Sequence, residues 1–355
     1  MKSYKKRILS IVLVLIMVLG LATACGEKQA ETGEAGDGGP QAASKSMTVR
    51  ISAGPSGANN FMICAALGDK VSSVFPNYTI SAEISTGSAQ NIRAMSQNEA
   101  QMGIAMSDSA LYAYNAEREF TDLEPKQFNY VIGGYQTIIH LMVPADSSIQ
   151  SVADLKGKKI AASQGITAQY YLPIILEAYG MTTADVSVSE LQLADVVNAL
   201  NDGTVDAGVH ITSYPLAAIS DLAATKGLRL LSLPEDKIAG IAEKYPYFSK
   251  MIISGGAYQG IDEDVVTIGT LNTLICRADL DEEFVYNFVK TVCESTDDLG
   301  AIHPKAAEFN KDNTLVGAVI PIHPGAEKYY KEIGIMEEKC KKEGGAPRYP
   351  LFINQ

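Results

Sequence analysis

Histidine is scarce: His140, His210, His303 and His323 are the four in 355 residues, and the last two each precede proline. No H-E-x-x-H, no G-x-S-x-G and no Ser-His-Asp arrangement is present, so the common hydrolase signatures are missing. No catalytic residue is therefore expected. Cysteine is scarce as well. Apart from Cys25 there are Cys64, Cys276, Cys293 and Cys340, with no C-x-x-C pair and no histidine at metal-ligand spacing. No metal and no cofactor are expected on that pattern. Cys64, Cys276 and Cys293 sit in apolar runs, as buried small hydrophobes do. An oxidising compartment would permit a disulfide, but no pairing follows from the sequence. Basic charge is the third deficit, with 29 Lys and Arg against 41 Asp and Glu. Four of the basic residues and none of the acidic ones fall in the first 24, which leaves 25 against 41 and a net charge of −16 for the rest. Such a body argues against nucleic acid and against anionic lipid as partners. After the N-terminus, no apolar run reaches the length of a membrane span.

What is present begins with a leader. Lys2, Lys5, Lys6 and Arg7 precede the apolar run Ile8–Leu21, and Ala22-Thr-Ala-Cys25 follows. This is a secretory signal over residues 1–24, and its end resembles a bacterial lipobox. That resemblance implies cleavage before Cys25 and lipid attachment to its thiol, hence an extracytoplasmic protein anchored to the cell membrane. Ala22 stands where such sequences more often have Leu. A plain signal peptide that leaves Cys25 free is the alternative. Residues 25–46 hold Gly, Ala, Glu, Gln and Ser with no large apolar side chain, so they read as a disordered tether. About 300 residues remain, enough for two lobes.

From Met47 onward, strands stop at small-residue loops and helices follow. Thr48–Ile51 leads through Ala53-Gly-Pro-Ser-Gly57 into an apolar helix. Thr79–Ile84 leads through Ser85-Thr-Gly-Ser88 into a helix over 89–98, and Met102–Met106 leads through Ser107-Asp-Ser109 into another. Three such units in about 70 residues are the rhythm of a mostly parallel α/β sheet. Ligands on such sheets bind beyond the carboxyl ends of the strands. Strand-like 131–135 and 138–143 follow, and the rhythm restarts. Ile160–Ser163 ends at Ser163-Gln-Gly-Ile-Thr167, with a helix expected over 168–178 despite Pro173. A strand over 205–211 precedes Thr212-Ser-Tyr-Pro215, with Pro215 suited to the first turn of a helix over 216–224. Residues 237–264 look less regular; 265–276 is a long β-rich run, and 281–296 an amphipathic helix. The expected fold is α/β and two-lobed, a type II-like periplasmic-binding-protein fold with its ligand cleft between lobes joined by crossover strands. Residues 47–138 and 275–355 form one lobe, and 139–274 the other.

A strand that ends in a Gly-rich loop and becomes a helix leaves backbone N–H groups facing outward at the positive end of the helix dipole. Gly54, Ser56, Gly57, Ala58, Asn59 and Asn60 on one loop are candidate ligand contacts. Ser163, Gln164, Gly165, Ile166 and Thr167 are their counterparts on the other. Ser88, Ser107, His210 and Ser213 lie at further strand ends, and Tyr258 and Tyr135 are candidate apolar walls. Plainer readings stand beside these: Ser88 and Ser163 as helix caps, Asn59 and Asn60 as turn residues, and His210 as a rim or core histidine. Asp108 reads as an N-cap or an interlobe hydrogen bond in preference to a catalytic acid.

These residues also carry a family resemblance. The chain resembles the solute receptors of tripartite ATP-independent periplasmic (TRAP) transporters, in the branch called TAXI. The carriers are Ser85-Thr-Gly-Ser-Ala-Gln-Asn-Ile-Arg93, Ser107-Asp108 before Ala113-Tyr114, Ser148 through Lys159, Leu200-Asn-Asp-Gly-Thr-Val-Asp-Ala207, Gly256-Ala-Tyr258 before Asp262-Glu-Asp264, and Ile322-His-Pro-Gly-Ala326. The resemblance implies a lipid-tethered receptor that binds a small carboxylate, a dicarboxylate or a glutamate-like amino acid. It would pass that ligand to a membrane permease driven by an ion gradient. Asn59 and Asn60 stand where the family usually has Tyr, and Met106 where it often has Gln. These departures fall on side chains expected to touch the ligand, so the resemblance implies the ligand class and not its identity. A binding protein for an ATP-driven importer or a sensor, or a secreted α/β enzyme acting on a small acid, are the other readings.

Overall fold

The computed structural model describes residues 46–336. The signal peptide, Cys25, the tether up to Lys45, and Cys340 lie outside the described residues.

Three strands, β1 (Met47–Gly54), β2 (Tyr78–Ile84) and β3 (Met102–Met106), alternate with helices α1 (Asn59–Val74), α2 (Ser88–Ser96) and α3 (Ser107–Asn115). β1 pairs in parallel with both β2 and β3. Val49, Ile51, Ser52 and Ala53 are all buried, as both faces of a central parallel strand must be when helices cover them. A second set repeats the pattern: β5 (Lys159–Ser163), β6 (Ser187–Leu191) and β7 (Ala207–Thr212), with β5 parallel to both neighbours. Helices α4 (Leu172–Ala178), α5 (Leu193–Asn201) and α6 (Ala217–Thr225) follow these strands.

Two long strands join the sets. β4 runs from Phe128 to Pro144 as one strand where the sequence pattern reads as two, and β10 spans Val265–Arg277. β10 lies antiparallel to β3 over 272–276 and to β4 over 269–277. At Ile138, β4 takes β7 as an antiparallel partner. The sheet order is β2-β1-β3-β10-β4-β7-β5-β6, with β8 (Leu228–Leu230) on β4 and β9 (Ser249–Ile253) on β10. This is the two-lobed, type II-like α/β fold that the sequence predicts.

Strand direction places the loops. Two antiparallel steps, β3 to β10 to β4, make β4 run in the same sense as β1, β2 and β3. One antiparallel step makes β7, β5 and β6 run against it. The carboxyl ends of both parallel sets therefore point at the strand crossing from opposite sides. Met106 ends β3 level with Asn272, whose neighbours pair with Gly133 and Gln136, while Thr212 ends β7 level with Ile138. The ends are three to four residues apart along β4, roughly 10 Å.

Other expectations need correction. Residues 237–264 are not irregular: α7 (Glu235–Lys244) and β9 lie there. Only Ile238 and Ile241 of α7 are buried, too thin an apolar stripe to stand out in a charged stretch. The helix over 168–178 is a π turn, Thr167–Tyr171, running into α4. Pro173 has no N–H to offer the preceding turn, and the Leu172 N–H donates to the Thr167 carbonyl instead. Gly87, not Ser88, occupies the N-cap of α2. Pro215 precedes the N-cap Leu216 of α6 and follows a cis peptide bond.

The remaining helices, α8 (Glu282–Glu294), α9 (Thr296–Ile302) and α10 (Pro324–Glu332), complete the first half. Phe284, Phe288, Val289 and Val292 of α8 are buried as the periodicity predicts. Cys64 and Cys276 are buried, Cys293 is half-buried, and all three are free. Burial pushes each thiol far above its ordinary value, which keeps it protonated and inert.

Candidate functional site

Asn91 organises the first set of strand ends. It is fully buried and uses both ends of its amide. Its Nδ2 donates to the carbonyls of Ala53 (3.0 Å) and Ile104 (2.6 Å). Its Oδ1 accepts from the Ser52 hydroxyl at 2.8 Å and from the Ser85 hydroxyl. One side chain thus ties β1, β3 and the loop after β2. Buried amides need this full complement. Sequence reasoning did not single out Asn91; the signal available was its place within the Ser85–Arg93 stretch.

Around this knot the predicted loops project outward. Gly54 ends β1; Ser56, Gly57 and Asn59 are exposed, and Ala58 and Asn60 half-buried. Ala58 is the N-cap of α1 but offers no side-chain acceptor, and no acidic residue occupies the first turn. The amides there stay open at the positive end of the helix. The same holds for α2 and for the turn at Thr167. By contrast, α7, α8 and α9 each carry two acids in the first turn. Of the helices that follow the parallel strands, α3 and α5 carry Asp108 and Asp195 in their first turns, whereas α1, α2 and the turn at Thr167 carry no acid. Gly57 (φ +79°) and Gly165 (φ +81°) each sit in the left-handed region with nothing within 4 Å of an added Cβ, so both loops border open space.

Not every candidate is free. Asn60 Oδ1 accepts from the Tyr135 hydroxyl. The Ser88 hydroxyl accepts from the Met106 N–H at 3.2 Å, and that of Ser107 donates to the Leu271 carbonyl at 3.2 Å. Ser88 and Ser107 thereby fasten strand ends to one another and to β10. Tyr135 and Tyr258 are buried.

On the opposite side, the Ser163 hydroxyl and His210 Nδ1 are hydrogen-bonded at 2.7 Å. They stand at the ends of adjacent strands β5 and β7. Gln164 is exposed, Gly165 and Ile166 are half-buried, Thr167 is buried, and Ser213 is half-buried on the loop after β7. His210 faces His140 directly across the β4–β7 ladder. Burial pulls both imidazoles down to about 4, so both are neutral near pH 7. For His140 the tautomer follows from its partners. The Ile138 carbonyl beside Nδ1 can only accept, so Nε2 of the neutral ring is bare and accepts from the Tyr258 O–H (3.0 Å), whose oxygen in turn accepts from the Leu216 N–H. His140 Nδ1 then carries the proton and donates to the Ile138 carbonyl (3.0 Å). His140 and Tyr258 are structural, whereas no described residue bonds His210 Nε2.

The two halves meet directly. The Tyr171 hydroxyl donates to Asp108 Oδ2 at 2.9 Å, and the Ser109 N–H donates to Oδ1 at 2.8 Å. Burial raises the Asp108 carboxyl above the usual range, against the lowering effect of these bonds and of Arg118. The Tyr112 and Tyr247 hydroxyls are bonded at 2.9 Å. The Arg118 guanidinium lies between the Tyr112 and Tyr170 rings, 3.8 and 4.1 Å from their centroids. The sequence pattern marks Asp108 for this role; it gives no sign of Arg118.

Among the described residues no cluster of three or more His, Cys, Asp or Glu is placed to hold a metal. No described helix is long and apolar enough to cross a membrane.

Among solved structures, the chain is similar to the periplasmic aliphatic sulphonate binding protein SsuA of Escherichia coli (16% identity, 80% of this chain and 78% of that one, TM-score 0.46). It is also similar to a putative sulfonate-binding SsuA from Methylobacillus flagellatus (14%, 82% and 89%, 0.47) and to the probable amino-acid ABC transporter extracellular-binding protein ytmK of Bacillus subtilis (12%, 75% and 98%, 0.43). Likeness at this level leaves the fold assignment resting on the strand order and directions above. Residues 51–334 match the sequence profile of the NMT1-like family, and that match spans well over half of the chain, so the protein belongs to the NMT1-like family.

Proposed function

We propose that this protein is an extracytoplasmic solute receptor, not an enzyme, that captures a small carboxylate between its two lobes. The observation that carries the reading is the set of acid-free, uncapped helix starts aimed at the strand crossing from both sides. Backbone N–H groups at such starts favour an anion. A gap of roughly 10 Å between opposed strand ends suits a dicarboxylate or a glutamate-like amino acid, one carboxylate per loop. The contacts are Gly54, Ser56, Gly57, Ala58 and Asn59 on one side and Ser163, Gln164, Gly165, Ile166, Thr167, His210 and Ser213 on the other. Segment 139–274 closes on the remainder by bending at β4 and β10.

In this reading Cys25 carries the lipid that holds the receptor to the membrane, and the partner is the permease of a TRAP-type transporter. Delivery to an ATP-driven importer or to a sensor uses the same capture step. Thermal melts of the purified protein with succinate, 2-oxoglutarate, L-glutamate, a neutral amino acid and an alkanesulfonate test the ligand class. A ligand present at 100 to 1,000 times its Kd stabilises by about 3–4 kcal/mol. A shift with a neutral compound alone would overturn the carboxylate. Uptake by vesicles holding the permease, driven by an ion gradient without ATP, separates the two transporter types.

A further inference from the structure

Ser163 and His210 form a hydrogen-bonded pair at the mouth of the second loop, 2.7 Å apart. Serine is the side chain that suits both charge states of the ring. Its hydroxyl donates to Nδ1 of a neutral imidazole, and the same oxygen accepts from Nδ1–H of an imidazolium. Either way the ring is held in one orientation, with Nε2 turned away from Ser163 and bonded to no described residue.

We infer that this pair makes carboxylate capture proton-linked: His210 meets the ligand through Nε2 and enters the complex as imidazolium, while Ser163 is the positioning residue that holds the ring. The inference rests on the carboxylate reading above. The proton comes from solvent, one per ligand, and leaves with the ligand.

The surroundings of His210 supply no competing charge. From β4 the facing titratable group is His140, whose two ring nitrogens are occupied by Ile138 and Tyr258. On the turn at 167–171, Tyr171 is committed to Asp108, and Tyr170 to Arg118. Lys159 on β5 and Asp195 on α5 are exposed. Burial alone holds the imidazole neutral near pH 7, and a carboxylate at Nε2 would raise it.

Calorimetry with L-glutamate and 2-oxoglutarate between pH 5.5 and 7.5, in buffers of different ionisation enthalpy, tests this. Proton uptake approaching one per ligand is expected, with Kd falling by up to about tenfold per pH unit lowered. His210→Gln should bind with weaker, pH-independent affinity. Ser163→Ala should keep an uptake but shift the pH at which it occurs. Imidazole NMR of the unmutated protein reads the same event without a variant, since the His210 signal should move to its protonated position on adding ligand. Zero uptake with pH-independent binding, or uptake that survives in His210→Gln, overturns the inference and leaves the carboxylate reading standing. The absence of any melting shift with either acid removes the carboxylate reading, and the inference falls with it.

Discussion

The Tyr171 hydroxyl donates to the Asp108 carboxylate at 2.9 Å, from one half of the molecule to the other. Tyr171→Phe should leave a buried carboxylate with one partner fewer and cost about 1–3 kcal/mol in denaturant unfolding. The pH dependence has a definite sign. Burial raises the folded-state value of Asp108, so its contribution is fully present below the unfolded carboxyl value and is lost as pH rises through the folded one. Removing the Tyr171 bond should move that loss to higher pH. Asp108→Asn should remove it, because the amide can still accept from Ser109 and donate to Tyr171. An unchanged stability–pH curve in Tyr171→Phe would mean that the carboxylate does not depend on this bond.

The histidines act the other way. His140 and His210 are held down to about 4, and His323 is lowered, all chiefly by burial. Their contribution is present above the unfolded value of 6.5 and is lost as pH falls toward 4. For His140 alone this amounts to about 3 kcal/mol. Urea midpoints at pH 7, 5.5 and 4.5 should fall in that order without ligand. A flat profile would show that these rings accept protons without cost.

Asn59 and Asn60 should behave differently although they are adjacent. Asn59 is exposed, whereas Asn60 accepts from Tyr135. Asn59→Ala should leave stability within about 0.5 kcal/mol and change ligand affinity. Asn60→Ala should cost about 1 kcal/mol whatever it does to binding. Melting and binding measured on both variants separate the two roles.

Asn91→Ala should cost on the order of 3–5 kcal/mol, because it strands two carbonyls and two hydroxyls. Asn91→Asp should fare no better, since a carboxylate would face the Ala53 and Ile104 carbonyls. If either variant unfolds like the parent, the three strand ends are held by something other than this amide.

Gly269→Ala tests the crossing itself. An added Cβ would lie 2.3 Å from the Thr137 carbonyl oxygen, a backbone atom with little freedom to move. A loss of about 1–3 kcal/mol is expected, with ligand preference unchanged. A wild-type melting temperature would show that β4 and β10 can part at this level.

The alternation of strand, small loop and helix is legible in the sequence because Gly, Ser and Asn break periodic apolar segments at each strand end. The candidate loops follow from that rhythm, and so does the interlobe reading of Asp108. Less visible are features set by distant partners. Nothing local marks Asn91 as the residue joining three strands, or Arg118 as the cation between two rings 6 and 52 positions away. Ser88 reads as a cap because serine suits that position, yet tertiary structure uses its hydroxyl for Met106. Tyr258 reads as an apolar wall with a polar tip; its bond to His140 is set by a distant partner and is not legible locally. α7 is hidden because two isoleucines are all that it buries.

The strand directions have a consequence for how this chain can be cut and rejoined. β4 and β10 are neighbours at Ile138 and Gly269, and everything between those positions leaves and re-enters the first half through them. The second half is therefore an insertion on a two-stranded stem, with its ends already side by side. Another segment can replace it at those two points without threading the chain anew, while the half that begins at β1 keeps its own core and its own loops.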